Sequence, residues 1–248
     1  MADKIPVKIK RQDGPGKEPY WESFEVPYQA NMNVISVLME IRINPVTSDG
    51  KKTTAPVWDS GCLEEVCGAC SMRINGTPQQ ACTALVDQLE KPIVLEPFSK
   101  FPVVRDLVID RSKMFENLKR LNAWVPVDGT YPMGEGPKIL PEDQHDMYKY
   151  SRCITCGCCL EACPQFHQDS AYVGAQAIGQ AYLFNKQPGG KVLSEERYEV
   201  LMGPGGVSDC GFAQNCQRVC PKEIPLVDAI VKTSAELGWY SVKRFFRR

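Results

Sequence analysis

The chain has 248 residues, of which 43% are hydrophobic and 24% charged, and its formal net charge is −1. This length predicts two domains, and the near-neutral charge gives no electrostatic footprint for nucleic acid, so no nucleic-acid partner is expected. No apolar run reaches the length of a membrane span, and residues 1–6 have no apolar signal-peptide core. These features predict a reducing, cytoplasmic setting, where clustered cysteines bind metal more often than they form disulfides.

The first hundred residues predict a small mixed sheet. Residues 5–12 and 24–26 alternate apolar and polar side chains on either side of a Gly/Pro turn, which is typical of two strands joined in a hairpin. A helix follows, with one apolar face formed by Val34, Val37, Leu38 and Ile41. Residues 71–74 precede Asn75-Gly76, a strong hairpin signal, and residues 93–95 predict a last strand.

Four cysteines follow the predicted helix. Their spacing, x4, x2 and x11, is that of plant-type [2Fe–2S] ferredoxins, and they are Cys62, Cys67, Cys70 and Cys82. Gly61 and Gly68 lie within this run and predict a loop whose backbone N–H groups can turn toward the sulfurs. The element order predicts a β-grasp domain of the plant-type ferredoxin class at residues 1–107.

Residues 108–248 predict an all-α domain of the bacterial-ferredoxin type. Apolar side chains recur at helical spacing from position 114 to position 121. Pro225 and Gly238 are placed where a later helix would begin and end. Residues 126–141, with four prolines and three glycines, predict a loop. The fold class expected for the whole chain is therefore α+β.

Two further cysteine runs lie in the helical domain, and each ends in Cys-Pro. The first has C-x2-C-x2-C-x3-C-P spacing and consists of Cys153, Cys156, Cys159 and Cys163. The second consists of Cys210, Cys216 and Cys220. In two-cluster bacterial ferredoxins, the first three cysteines of such a run bind one cluster and the fourth binds the other. This rule predicts a [4Fe–4S] cluster on Cys153, Cys156, Cys159 and Cys220.

The remaining set predicts a cluster that lacks one iron. Its cysteines are Cys163, Cys210 and Cys216. A complete run would have a cysteine at position 213, but Ala213 has no donor atom, so a [3Fe–4S] cluster is expected. Cys158 is the one thiol left over. The register favours Cys159 as the ligand and Cys158 as a small buried neighbour, and the spacing leaves an exchange between the two open.

Zinc is the alternative metal, because C-x2-C pairs commonly form tetrahedral zinc sites. Such sites group their cysteines in fours and share none between distant runs, whereas one predicted ligand here, Cys220, lies far along the chain beside a proline. Iron–sulfur clusters are therefore favoured. A brown protein with visible absorption would differ at sight from a colourless zinc-stabilised scaffold.

The combination of a plant-type domain with a bacterial-type domain resembles the iron–sulfur subunits of succinate dehydrogenase and fumarate reductase (complex II). Residues 62–70, 74–76 and 102–107 and both Cys-Pro runs carry the resemblance, which is greatest to the Gram-positive succinate:menaquinone type. It implies that a partner flavoprotein oxidises succinate on FAD. This chain would then pass electrons from [2Fe–2S] through [4Fe–4S] and [3Fe–4S] to a quinone, expected to be menaquinone, at a membrane-anchor cytochrome b subunit.

The resemblance also implies a peripheral position on the cytoplasmic side of the cell membrane. No nucleophile–base motif is present, so no catalytic residue is expected here, and the direction of the reaction stays open.

Pro164, Phe166 and His167 follow a predicted ligand and are candidates to border the quinone. No tryptophan follows that Cys-Pro pair, unlike in many ubiquinone-linked members. Residues 238–248 mix aromatic side chains with four cations, which suits either a solvated tail or a membrane boundary.

Overall fold

The computed structural model describes residues 4–126 and 136–247, and the chain divides into two compact units. The first unit consists of Met1–Arg111 and Ile154–Ala162, and the second of Ser112–Cys153 and Cys163–Arg248. The predicted boundary between residues 107 and 108 lies close to this division. The sequence did not indicate that Ile154–Ala162 returns to the first unit.

The described residues form seven strands and eight α-helices. The strands are β1 (Lys4–Arg11), β2 (Tyr20–Pro27), β3 (Ser71–Ile74), β4 (Thr77–Gln80), β5 (Ile93–Glu96), β6 (Val103–Arg105) and β7 (Val108–Ile109). The helices are α1 (Val34–Ile43), α2 (Ser112–Arg120), α3 (Pro141–Ser151), α4 (Cys158–Glu161), α5 (Gly174–Lys186), α6 (Ser194–Met202), α7 (Asn215–Arg218) and α8 (Leu226–Phe246).

The first unit is built on a five-stranded sheet with the order β2-β1-β5-β3-β4. β1 pairs antiparallel with β2 and parallel with β5, and β3 forms a hairpin with β4. Ile5, Val7 and Ile9 of β1 are buried, while the residues between them are exposed. This period of two is that of a sheet with one face on the core. The observed strands and the observed α+β class agree with the sequence-based prediction.

Helix α1 adds its apolar face to this core, as predicted. Its buried residues include Val34, Val37, Leu38 and Ile41. The helix begins after Asn33, whose side chain accepts a hydrogen bond from the backbone N–H of Ser36 at 2.9 Å. This N-cap satisfies a donor that the first helical turn leaves unpaired. The helix ends at Ile43, before Pro45.

A buried ion pair links the end of β1 to the turn between β6 and β7. The Arg11 side chain is fully buried, and its Nε and Nη2 donate to Asp106 Oδ1 and Oδ2 at 2.8 and 3.2 Å. Asp106 also accepts hydrogen bonds from the backbone N–H groups of Val57 at 2.9 Å and Gln12 at 3.2 Å. One carboxylate therefore joins three segments of the first unit.

The second unit is helical, as predicted, and α5 is its centre. It packs against α2, α3, α6 and α8. Tyr182 of α5 meets Tyr150 of α3 edge-on, with ring centroids 4.9 Å apart. The loop predicted at residues 126–141 lies largely outside the described residues. Of the helices in the described part of the chain, none has both the length and the apolar character that a bilayer span requires.

Helix α8 differs from the prediction. It follows Pro225 as expected, but it continues to Phe246, so the predicted end at Gly238 is wrong. A glycine within a helix costs only about 1 kcal/mol relative to alanine. Contacts with α6 hold the later turns in place: Tyr240 Oη donates to Glu199 at 2.9 Å, and Arg244 Nη1 donates to the same carboxylate at 2.7 Å.

We expect Asp106→Ala to lower the free energy of unfolding by about 3 kcal/mol. The substitution removes two hydrogen bonds from a buried guanidinium and leaves buried backbone N–H groups unpaired. Denaturant titration of the purified protein measures the change. Asp13→Ala, at an exposed carboxylate in the same unit, is the control and should change stability little. Equal stability of the two variants would contradict the role given to Asp106.

Candidate metal centres

The first cysteine loop directs backbone N–H groups at its own sulfurs. Cys62 Sγ accepts hydrogen bonds from the N–H groups of Glu64, Val66 and Cys67 at 3.3, 3.2 and 3.3 Å. Positive φ angles at Leu63 (62°) and Glu65 (54°) turn the backbone so that these groups converge. The hydrogen bonds lower the pKa of Cys62 to about 7. The loop therefore favours the thiolate, which is the form that binds metal.

The four cysteines of this run lie as two pairs. Cys67 Sγ accepts a hydrogen bond from the backbone N–H of Cys62 at 3.4 Å, and the side chains of these two also hydrogen-bond. Cys70 and Cys82 are both buried and hydrogen-bonded to each other. Burial raises the pKa of Cys70 to about 12, so we expect this thiol to give up its proton only when a metal binds. Two thiol pairs fit a group of two irons with two thiolates on each.

Gly68 of this loop packs directly against residues 154–162. Its φ is +71°, and a Cβ atom there would lie 2.6 Å from Ile154 O and 3.0 Å from Cys156 Cα. No other residue fits, because both the backbone conformation and the space require glycine. Arg111 Nη2 also donates to the carbonyl of Ala69 at 2.9 Å. The first unit thus brings the predicted [2Fe–2S] loop into contact with Cys156, one of the predicted [4Fe–4S] ligands.

The sulfurs at 156, 158 and 159 are all buried. Cys158, at the start of α4, is 0% exposed, and a hydrogen bond from its thiol lowers the pKa of Cys156 to about 7. The same hydrogen bond raises the pKa of Cys158 well above its usual value. Cys158 is therefore the hydrogen-bond donor of this pair, and its exclusion from the ligand set stays a prediction.

Glu161 fixes this segment within the first unit and is a residue that sequence reasoning missed. Its buried carboxylate accepts hydrogen bonds from Ser99 N–H at 3.0 Å, Ser99 Oγ at 2.7 Å and Lys100 N–H at 3.1 Å. It is the only acidic residue within the 153–163 cysteine run, which was the available signal. Its contacts position Cys159 in the same short helix.

Cys153 and Cys220 belong to the second unit. The backbone N–H of Cys153 donates to Tyr150 O at 3.3 Å, and that of Cys220 donates to Gln217 O at 3.3 Å. Both cysteines are partly exposed. Their association with Cys156 and Cys159 in one [4Fe–4S] ligand set stays a prediction.

A cavity in the second unit brings together the three cysteines of the predicted [3Fe–4S] set. The cavity has an empty volume of about 290 Å³, part of which is open to solvent. Its lining includes Cys163, Cys210 and Cys216 together with Ala213. Phe212 (φ 50°) and Gln214 (φ 59°) flank the alanine in left-handed conformations, which curve the loop around the cavity. Three thiols and one side chain without a donor fit a cluster with three irons.

Burial raises the pKa values of two residues that line this cavity. Burial raises the pKa of Cys216 to about 11, and the Cys163 and Cys210 thiols nearby add to the effect. The pKa of Tyr172, another lining residue, is also raised by burial, with Cys210 as its hydrogen-bond partner. The cavity is thus buried on the side of Cys216 and Tyr172, whereas Pro164 and residues 211–214 on its other side are exposed.

The three candidate quinone-bordering residues lie in different environments. Pro164 lines the cavity and is exposed, and His167 is exposed. Phe166 is 0% exposed, with Lys113 Nζ 5.2 Å from its ring centroid. Lys113 Nζ also donates to the carbonyls of His167, Gln168 and Ser170, the first at 2.7 Å and the last at 2.8 Å. One ammonium group thus donates to three carbonyls of this loop, and the phenylalanine of the loop is buried.

No three His, Cys, Asp or Glu side chains in residues 4–126 and 136–247 lie close enough to share one metal ion. The thiols are arranged instead as two pairs, a buried segment and a cavity lined by three cysteines.

Comparisons with known proteins identify two iron–sulfur domains. A 2Fe-2S iron-sulfur cluster binding domain matches residues 6–116, and a 4Fe-4S dicluster domain matches residues 149–224. The succinate dehydrogenase iron-sulfur subunit of Bacillus subtilis is 52% identical, covering 96% of this chain and 94% of its own length. The fumarate reductase iron-sulfur subunit of Mycobacterium tuberculosis is 30% identical, covering 98% and 97%.

A solved structure has the same fold. It is the Mycobacterium smegmatis Sdh1 complex in the apo form, of which one chain superimposes with a TM-score of 0.79. The match covers 96% of both chains at 22% sequence identity.

We expect oxidised protein to give the electron paramagnetic resonance signal of a three-iron cluster. Ala213→Cys should diminish that signal, because a new thiolate at the cavity wall gives a fourth iron its ligand. Ala213→Val adds bulk without a donor and is the matched control, in which no second four-iron signal should appear. Wild-type protein with two four-iron centres and no three-iron signal would show the assignment to be wrong.

Substitution separates the two adjacent cysteines. Cys158→Ser should keep the iron content per chain and the spectra of all centres, because its sulfur is a neutral hydrogen-bond donor rather than a ligand. Cys159→Ser should lose or convert the four-iron centre. Iron analysis and electron paramagnetic resonance of both variants give the answer, and the reverse pattern would identify Cys158 as the ligand.

Proposed function

The chain belongs to the family of iron–sulfur subunits of succinate dehydrogenase and fumarate reductase, and we propose that it connects a flavoprotein to a quinone site at a membrane anchor. The observation that carries the proposal is the contact at Gly68, where the first cysteine loop touches the segment that holds Cys156 and Cys159. A carrier of single electrons needs successive redox centres close together, and this contact supports such a succession.

When bound, the clusters supply one-electron transfer, which links a two-electron flavin to a two-electron quinone. The residues of the chain determine the charge and the solvent access of the sulfurs. Backbone N–H groups around Cys62 stabilise negative charge on the sulfur, and the burial of Cys70 and Cys82 limits the access of water. Hydrogen bonds to sulfur and burial are two of the means by which proteins set cluster potentials.

The proposed ligand sets follow the cysteine runs. The [2Fe–2S] cluster is held by Cys62, Cys67, Cys70 and Cys82. The [4Fe–4S] cluster is held by Cys153, Cys156, Cys159 and Cys220. The [3Fe–4S] cluster is held by Cys163, Cys210 and Cys216, and the cavity that they line next to Ala213 supports this set.

The proposed partners are an FAD-containing flavoprotein and a membrane-anchor cytochrome b subunit, with menaquinone as the acceptor. Two apolar side chains of the first cysteine loop, Leu63 and Val66, are exposed, which suits a protein partner at the entry point of electrons. On α8, Trp239 and Phe245 are exposed beside Lys243, a combination that suits an anionic membrane boundary. We therefore place the subunit on the cytoplasmic side of the cell membrane, peripheral to it.

Succinate oxidation is the favoured direction. The relative at 52% identity is a succinate dehydrogenase subunit, whereas the fumarate reductase subunit of Mycobacterium tuberculosis is 30% identical. Fumarate reduction would use the same residues with electrons moving in the opposite sense. Electron supply and quinone potential, which lie outside this chain, decide between the two.

Site-specific photo-cross-linking in native membranes tests the arrangement. A photo-reactive residue at Val66 should link to the flavoprotein, in keeping with contacts expected across residues 53–82. One at His167 or Phe212 should link to the anchor, in keeping with contacts expected at 163–168 and 210–216. All three side chains are exposed in the described structure. The control position is Glu25 on β2, which is exposed and distant in sequence from every cysteine.

The expected result is two different partners, one for Val66 and the other for His167 or Phe212, and neither for Glu25. A chain that purifies alone from the soluble fraction, with its clusters intact and without cross-links, would refute the arrangement.

A further inference from the structure

A buried glutamine lies between two of the cysteine runs. Gln80, the last residue of β4, is 1% exposed. Its Oε1 accepts a hydrogen bond from the Cys70 thiol at 3.5 Å, and its Nε2 donates to Cys158 Sγ at 3.6 Å. A single amide therefore contacts a proposed [2Fe–2S] ligand at one end and the neighbour of two proposed [4Fe–4S] ligands at the other.

Ser71 fixes which way this amide points. Its hydroxyl donates to the carbonyl of Gly68 at 2.7 Å, so its oxygen is available only as an acceptor. Gln80 Nε2 donates to that oxygen at 2.8 Å. The reverse orientation would set Gln80 Oε1 against an oxygen whose hydrogen is already used. The positive end of the amide thus faces Cys158 and the negative end faces Cys70.

The hydrogen bonds beyond the amide continue in the same sense. Gln80 Nε2 donates to Cys158 Sγ, and the side chains of Cys158 and Cys156 hydrogen-bond to each other. As a proposed ligand Cys156 would have no proton, so Cys158 would be the donor of that bond. Hydrogen bonds aligned in series polarise one another, and a buried environment strengthens their effect on nearby charge. All of these groups lie in the first unit, so the series runs from one cysteine run to the next without leaving it.

We propose that Gln80 separates the reduction potentials of two centres, lowering that of the cluster at Cys70 and raising that of the cluster at Cys156 and Cys159. This inference rests on the proposed function and its ligand sets. A reduced cluster carries one more negative charge than an oxidised one. As a cluster ligand Cys70 would have no thiol proton to donate to the amide oxygen, so that oxygen would face the negative charge of the sulfur and disfavour it. The donors that begin at Nε2 would favour negative charge at Cys156. The transfer of one electron from the first cluster to the second, with no proton moved and no bond broken, is thereby made more favourable.

A purely structural glutamine would behave differently. Gln80 also joins β4 to Ser71 at the start of β3, so its loss could weaken the hairpin. Such weakening would change both potentials in one direction, or neither, because a looser loop admits water to both centres alike. Opposite shifts of the two potentials are expected only from an oriented dipole between them.

Redox titration of the purified complex, followed by electron paramagnetic resonance, measures both potentials. In Gln80→Leu, which removes the dipole at similar volume, the ratio of reduced to oxidised [2Fe–2S] at a fixed applied potential should rise about threefold. The same ratio for the [4Fe–4S] centre should fall about threefold. Each change corresponds to about 30 mV for a one-electron couple. Gln79→Leu is the matched control, since Gln79 is the neighbouring residue on the opposite face of β4, and it should shift neither ratio.

A second variant keeps the test decisive if Gln80→Leu does not assemble. Cys158→Ala removes only the last donor of the series, so it should lower the potential of the [4Fe–4S] centre and leave that of [2Fe–2S] unchanged. Shifts of both potentials in the same direction, shifts opposite to those expected, or no shift with intact clusters would overturn the inference. Iron analysis of the wild-type complex separates this outcome from failure of the proposed function, which would appear as missing clusters.

Discussion

The first unit is organised by the need to hold negatively charged sulfur in a folded protein. An ionised thiol without compensation is costly away from water, and the two thiol pairs meet this constraint in different ways. At Cys62 the backbone itself provides donors, through a loop whose positive φ angles point three N–H groups at one sulfur. At Cys70 and Cys82 the protein buries the thiols instead, and burial raises the pKa of Cys70, so its ionisation would depend on the proposed cluster.

The second cysteine run is held beside the first by groups that are not expected ligands. Gly68 allows the backbones to meet, Arg111 donates to Ala69 O, and Glu161 accepts three hydrogen bonds from Ser99 and Lys100. Each contact joins segments that are far apart in sequence. Gly68, the Arg111 guanidinium and the Glu161 carboxylate thus hold the segments around the two runs. Gln80 and Cys158 meet between these segments.

Much of this organisation is readable from the sequence, because it depends on local periodicity and spacing. The alternation in β1, the apolar face of α1 and the intervals between the cysteines are local patterns that predict their structures directly. The end of α8 was missed because a single glycine is weak evidence against contacts from another helix. The inward position of Phe166 and the role of Glu161 depend on partners such as Lys113 and Ser99, which no pattern within their own segments reveals.

The membership of Ile154–Ala162 in the first unit has a consequence for how the protein is made. A ribosome completes residues 1–111 well before it reaches this segment, and the second unit begins in between. Domains generally fold in order as they emerge, yet this one lacks an integral piece until residue 162 is available. Until then the surface around Gly68 and Gln80 is uncovered, and the first cysteine loop is open on the side that the finished protein closes. Synthesis itself therefore creates an interval in which Gly68 and Gln80 lack the partners that Ile154–Ala162 supplies.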